Sequence, residues 1–349
     1  MPAATYDEFI ERVFNLYRLR SIEAVLDWDQ ETQMPKRGAE DRAEQIALIA
    51  GMAHERLTAE ELGTLLERLE SNELDDDAAT NVREVRREYD RAVKLPASLV
   101  KEIARASTLG KGAWAAARAE SDFAKFAPHL EKLLDLKRQA ADLIGWTTER
   151  YDALMDEFEP GARAADVQAV FEAVQAELVP LVAAIKDAPR QPDKSIRTRH
   201  CPRAAQAAFN RKISAAQGYD FDAGRIDVST HPFCTSFSPR DVRITTRYDE
   251  HYMPMSLFGV MHESGHALYE QGYEVEHTGT PLAQWVSLGI HESQSRLWEN
   301  QVGRGRAFWE HFFPQLREAF PSLADVSLDD WHFVINTVEP SLILSLIHI

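Results

Sequence analysis

Along its first 217 residues the chain repeats apolar positions every three or four residues, the spacing of a helix with one buried face. Phe9, Ile10, Val13, Leu16 and Tyr17 mark the first such stripe, with Thr5 and Glu8 spaced as a capping box ahead of it. Ile46, Ala47, Ile49 and Ala50 mark a second, within 43–53. Leu62, Leu65, Leu66 and Leu69 mark a third, with Thr58 as its cap. The acidic residues of 73–77 read as a solvated connection, and 81–94 mixes both charge signs as a surface helix does. Pro96 interrupts the pattern, which resumes over 99–143 with Trp114, Phe123 and Phe126 as packing residues. Glu159-Pro160-Gly161 is a turn, 167–185 is amphipathic, and 187–199 is polar with two prolines, hence a loop. Residues 1–217 thus predict a helical array with short connections and no internal repeat. One stretch resists this reading: Trp28 stands between Asp27 and Asp29 without a periodic role.

The pattern changes after Gly218. Residues 227–235 are β-branched and aromatic, and 241–248 alternate apolar with polar, a strand signature. Ser238-Pro239-Arg240 between them is a turn, so a small hairpin is expected. Its edge could align an extended peptide through main-chain hydrogen bonds. Helical spacing returns with Met255, Leu257, Phe258, Val260 and Met261, between Pro254 in the first turn and Gly272 at the end. The fold class is mainly α: a single domain over 1–349, made of the array 1–217 and a part 218–349 with the hairpin and two further helices.

The second half also holds the chemistry. His262-Glu263-Ser264-Gly265-His266 reads H-E-x-x-H. On a helix, residues four apart share one face, so both imidazoles can grip one metal ion while Glu263 reaches the attacking water as general base. A catalytic zinc takes a third protein ligand and leaves a position open. Glu270, Glu274, Glu276, His277, His291, Glu292 and Glu299 are downstream candidates. Glu292 is favoured, because Ile290 and Leu297 begin a second helical pattern that a return through 273–281 would lay beside the first. His291 is its neighbour and rival, with a supporting role or a substrate contact as its other readings. Ten of the twelve histidines lie at or after His200, the skew that a metal site in this half would produce.

A formal charge of −17 excludes the basic face of a nucleic-acid binder and says little about fold. Cys201 and Cys234 are too few for a disulfide framework and fit a reducing cytoplasm, as buried small hydrophobes rather than reactive thiols. The N-terminus lacks a basic start followed by an apolar run, and no stretch approaches the ~18 apolar residues of a membrane span.

Several separated motifs together resemble one family, the metallocarboxypeptidases typified by carboxypeptidase Taq. They are Trp28-Asp29-Gln30-Glu31-Thr32 with Met34-Pro35, Glu159-Pro160-Gly161, Gly224-Arg225-Ile226-Asp227, His231-Pro232-Phe233, Asp241-Val242-Arg243-Ile244-Thr245, the H-E-x-x-H segment and His291-Glu292-Ser293-Gln294. The resemblance runs from near the start to about Ile343. It implies a helical fold with a deep groove, similar to neurolysin and angiotensin-converting enzyme, among the gluzincins. It implies removal of C-terminal residues from peptides with broad preference, zinc (or cobalt) as cofactor, and a homodimer when full length. It makes His262, His266 and Glu292 the metal ligands, Glu263 the base, and His231, Arg243 and His291 the substrate contacts. After Ser341-Leu342-Ile343 the family continues with an arginine and further helices, whereas this chain reads Leu344-Ser345-Leu346-Ile347-His348-Ile349. The expectation is therefore a family domain cut short at its C-terminus. A metallo-oligopeptidase cutting inside peptides, and an inactive metal-binding fragment, are the alternative readings.

Overall fold

The computed structural model describes residues 2–339, with side chains from Thr5 onward; the motif break near Ile343 and the tail 344–349 lie outside them. Four helices open the chain: α1 (Pro2–Thr32), α2 (Ala39–Leu57), α3 (Glu60–Glu70) and α4 (Asp76–Ala92). The leucine stripe of α3 meets Phe9, Val13 and Leu16 of α1 and Val82 and Val85 of α4 in one core. α5 (Ala97–Glu120) packs on α2, and α6 (Phe123–Ile144) packs on α5 around Leu99, Leu136 and Ala140.

Local chemistry moves several expected boundaries. α1 starts at Pro2, so Thr5 lies inside the helix rather than capping it. Thr58 closes α2 instead of opening α3: its hydroxyl donates to the His54 carbonyl at 2.8 Å. The acidic bend supplies a cap, with Asp75 accepting from the Ala78 amide at 2.8 Å. The long 99–143 pattern is two helices, divided at Ser121, whose left-handed φ of 55° ends α5, and at Asp122, which caps α6. Phe123, expected to pack, is 66% exposed.

α7 (Arg150–Met155) leads to α8 (Ala164–Asp187), which has no buried residue. Val170, Phe171, Val174, Leu178 and Leu181 all face outward, and Met155, Val167 and Phe171 line an open cleft between α7 and α8. Among the described residues, α8 is a helix long and apolar enough to cross a membrane by length and composition. That corrects the sequence reading, which found no stretch approaching the length of a membrane span. Gln168, Glu172, Gln175 and Glu177 interrupt the run without lowering the average enough to exclude it.

The remaining elements wrap one helix, α10 (Met253–Gln271). α9 (Arg203–Gln217) bonds to it through Ser214 and Ser264, 2.9 Å between hydroxyls. β1 (Ile226–Val228), β2 (Cys234–Ser238) and β3 (Asp241–Thr246) form a sheet in the order β1-β3-β2. β2 and β3 are the expected antiparallel hairpin, and β1 adds in parallel on the far side of β3, pairing Ile226 with Ile244. The 227–235 stretch is therefore two strands. Between them Pro232 has no amide to donate, and the Thr245 hydroxyl takes the Phe233 amide at 2.9 Å. Val242 and Ile244 of β3 pack on Val260 and Ala267 of α10. On another side Leu257, Phe258 and Met261 meet Trp309, Phe313 and Leu316 of α12 (Arg306–Ala319) and Trp331 and Val334 of α13 (Leu328–Ile335). Cys201 belongs to this core and Cys234, in β2, packs against the core between the sheet and α10; burial raises both thiols' pKa. α11 (Leu288–Arg296), continued by a π-helical turn Leu297–Val302, crosses α10 at the histidines.

Candidate metal centre

The crossing depends on a glycine. A Cβ on Gly265 would stand 2.6 Å from the Gln294 carbonyl oxygen and 2.6 Å from Ser295 Cα, so the α10 and α11 backbones touch there. That contact brings Glu292 Oε2 to 3.5 Å from His262 Nε2 and 3.3 Å from His266 Nε2. The three donor atoms lie within 4.8 Å of one another. Glu263, on the same helix, is buried.

Each donor is held from behind. His262 Nδ1 meets Glu299 Oε2 at 2.9 Å. Glu299 sits in the π-helical turn and also receives Arg296 and Arg304, at 3.2 and 3.3 Å. His266 Nδ1 meets His291 Nδ1 at 2.5 Å, and His291 Nε2 meets Glu270 Oε1 at 2.8 Å. Glu292 accepts from Arg296 Nε at 2.8 Å and from the Ser295 hydroxyl at 3.0 Å. Both histidines thus have Nδ1 engaged by protein and Nε2 turned to Glu292. Two imidazoles and a carboxylate, each oriented by a further partner, are the donor set of a catalytic zinc-type site, so the residues fit a divalent cation. The first turn of α11 is pinned as well: the Gly289 amide donates to Glu159 Oε2 at 2.9 Å and the Leu288 amide to the Phe158 carbonyl at 2.7 Å. The Glu159-Pro160-Gly161 turn therefore fixes the helix that carries Glu292.

The electrostatics follow from this crowding. Burial raises Glu263 to about 7, with Glu292 and Glu299 adding to the rise against His262. Burial also works against the charged form of Glu292, yet hydrogen bonding from His266 and the charges of His262 and Arg296 bring it down to about 2. Burial opposes the charge on His262, but the Glu299 carboxylate prevails and raises it. Burial lowers His266. Glu292 is thus held as a carboxylate, while Glu263 sits close to a proton's balance point at neutral pH.

Two further expected site residues, Arg243 and His231, belong to the sheet and its connections. Arg243 forms a two-pronged pair with Asp241, 2.8 Å at each nitrogen, and stands over Trp28 at 4.3 Å and Phe237 at 4.8 Å. Arg225 pairs likewise with Asp227 and lies over Trp28 at 5.4 Å. Trp28, without explanation in the pattern, is a buried ring on α1 that two arginines of the sheet region lie over. The guanidinium of Arg243 is thereby engaged within the protein. His231 lies between β1 and β2, its carbonyl accepting from the Ser229 hydroxyl at 2.5 Å. Glu274, Glu276 and His277 form a separate, mostly exposed group. Glu270 and Glu299, sequence candidates for the third ligand, meet the rings of His291 and His262 respectively.

Similarity follows the same lines. A family model, the carboxypeptidase Taq (M32) metallopeptidase, matches residues 8–344. Thermostable carboxypeptidase 1 of Thermus thermophilus is 44% identical over 355 aligned residues, which take in 98% of this chain and 70% of the relative. Carboxypeptidase 1 of Bacillus subtilis is 35% identical, over 98% of this chain and 69% of the relative. The crystal structure of an M32 carboxypeptidase from Deinococcus radiodurans superposes with a TM-score of 0.87 at 40% identity, over 97% of this chain and 68% of that one. The present chain thus spans about 70% of the length of its curated relatives. With its matched length, its shared fold and two histidines meeting a glutamate across two helices, the chain belongs to the carboxypeptidase Taq family of metallocarboxypeptidases.

Proposed function

We propose that this metallocarboxypeptidase is a zinc enzyme that removes single residues from the C-termini of peptides with broad preference, with cobalt as a possible substitute ion. The observation that carries the reading is the convergence of His262 Nε2, His266 Nε2 and Glu292 Oε2 within 4.8 Å. Bound there, the metal supplies Lewis acidity, which polarises the peptide carbonyl and lowers the pKa of water. Glu263 takes the proton of the attacking water and passes it to the leaving amine. A pKa near neutrality suits a group that must both accept and donate. Glu299 holds His262 with Nδ1 protonated, leaving Nε2 as donor.

For the substrate, an extended peptide lies along the edge of the small sheet, with His231, in the loop between β1 and β2, as its neighbour. We read 1–349 as one peptidase domain. The free thiols Cys201 and Cys234 support a cytoplasmic protein. Glu172 and Glu177 near the middle of α8 argue against a membrane span, since each charge at mid-bilayer costs about 2.5–3.5 kcal/mol on insertion scales. The exposed apolar face of α8 supports a homodimer, because surfaces of that kind are covered in assemblies.

Cleavage of paired peptides tests the activity. An N-blocked dipeptide with a free C-terminus is cleaved in the presence of zinc, and its C-terminal amide is not. Cleavage of an amidated peptide at internal bonds would instead establish the oligopeptidase reading.

A further inference from the structure

Glu270 has no part in the reaction as described, yet it is a carboxylate only 12% exposed, four residues beyond His266 on α10. Its Oε1 lies 2.8 Å from Nε2 of His291, and Nδ1 of His291 lies 2.5 Å from Nδ1 of His266. The two rings have centroids 4.5 Å apart and planes inclined by only 22°. With facing nitrogens so much closer than the centroids, the rings meet edge to edge in nearly one plane, as an N–H···N hydrogen bond requires. The ring of Tyr269 stands edge-on to His291 at 5.1 Å and closes that side.

We infer that Glu270 and His291 are positioning residues that together fix the tautomer and orientation of His266. The inference rests on the metal site proposed above. If Nε2 of His266 faces the metal, its proton must be on Nδ1. That N–H donates to Nδ1 of His291, which must then be the unprotonated nitrogen. His291 carries its proton on Nε2 and donates it to Glu270, which as a carboxylate only accepts. One arrangement of hydrogens satisfies all three groups, and the carboxylate at the end selects it. His262 receives the same service from Glu299 directly, at 2.9 Å. His266 receives it through an intervening imidazole, because Glu270 is turned to His291 rather than to His266. His291 therefore acts behind the metal rather than on the peptide.

The test is zinc affinity of the full chain, by competition with a chromophoric chelator, together with the visible absorption of the cobalt-loaded protein. It uses wild type, Glu270→Gln, His291→Leu and His291→Asn. Wild type binds one zinc per chain. Glu270→Gln and His291→Leu bind zinc about 10–100-fold more weakly and change the cobalt spectrum. His291→Asn, which keeps an acceptor near the position of Nδ1, loses less affinity than His291→Leu. With zinc saturating, kcat falls in Glu270→Gln while KM changes less than about twofold. Unchanged zinc affinity and cobalt spectrum in both Glu270→Gln and His291→Leu would overturn the inference. So would a rise in KM alone, which would make His291 a substrate contact. Should wild type bind no zinc, or His262→Ala bind it undiminished, the metal site itself would be refuted and this inference with it.

Discussion

Glu263 and Glu299 are both buried carboxylates within one helical crossing, and their surroundings give them different tasks. Glu263 is pushed up to about 7 by burial, and no arginine pairs with it among the described residues. Glu299 is drawn down despite burial, by its bond to His262 and the charges of Arg296 and Arg304. Glu263→Gln keeps the shape of the site and removes the proton acceptor, so turnover falls by about 10²–10⁴-fold while zinc still binds. Steady-state rates beside metal content measured on the same sample check this. Glu299→Ala does the reverse: it frees His262, and zinc affinity falls about 10–100-fold, read by chelator competition. The pairing of His262 with His266 was legible in the sequence because helical spacing alone puts them on one face. Their supports were not, because the π-helical turn that carries Glu299 has no pattern in apolar spacing. Trp28 stood out as unusual, but its two arginine partners, one just before β1 and one in β3, come from about two hundred residues away.

At the scale of elements, the contact between α10 and α11 sets the spacing of the three donor atoms. Gly265→Ala puts a methyl 2.6 Å from backbone atoms of Gln294 and Ser295, which cannot swing aside as a side chain does. Strain of about 1–3 kcal/mol is expected, along with a loss of zinc affinity larger than the change in melting temperature implies, because α11 must move with Glu292. Calorimetry and metal titration of the variant separate the two effects. A second device lies on α1, where Glu23 is raised to about 7 by burial and by Asp27, against Arg20 and Lys111. A carboxyl with a folded-state pKa above its unfolded value contributes stability at low pH. That contribution is lost as pH rises from about 4.5 to about 7. Glu23→Gln removes the dependence, so the variant gains on the wild type as pH rises through this window, on the order of 1–3 kcal/mol by pH 8. Denaturant melts at several pH values decide it; parallel curves for the two proteins would contradict it. Helix existence was readable because apolar stripes such as Leu62–Leu69 repeat strongly. Helix ends were less so, since Thr58 suits the close of one helix as well as the start of the next.

For the whole molecule, the contrast is between α10, wrapped on every side, and α8, which has no buried residue. The amphipathic pattern of 167–185 correctly signalled a helix, but it could not tell what the apolar side would meet. The chain spans about 70% of its curated relatives, and the described residues end with Glu339 paired to Arg197 at 2.8 Å, in the segment following α8. An exposed apolar face of this kind binds hydrophobic dyes and drives self-association. Replacing Phe171 and Val174 together by glutamate lowers dye fluorescence and association measured by sedimentation, and leaves zinc affinity unchanged. The central claim is that His262, His266 and Glu292 hold one catalytic zinc beside Glu263. It is tested most directly by titrating the metal-free protein with zinc while following release of the C-terminal amino acid from an N-blocked dipeptide, for wild type and Glu263→Gln. The account predicts that both proteins bind one zinc per chain and that release rises with zinc occupancy in wild type alone. Release independent of zinc, or undiminished in Glu263→Gln, would contradict it.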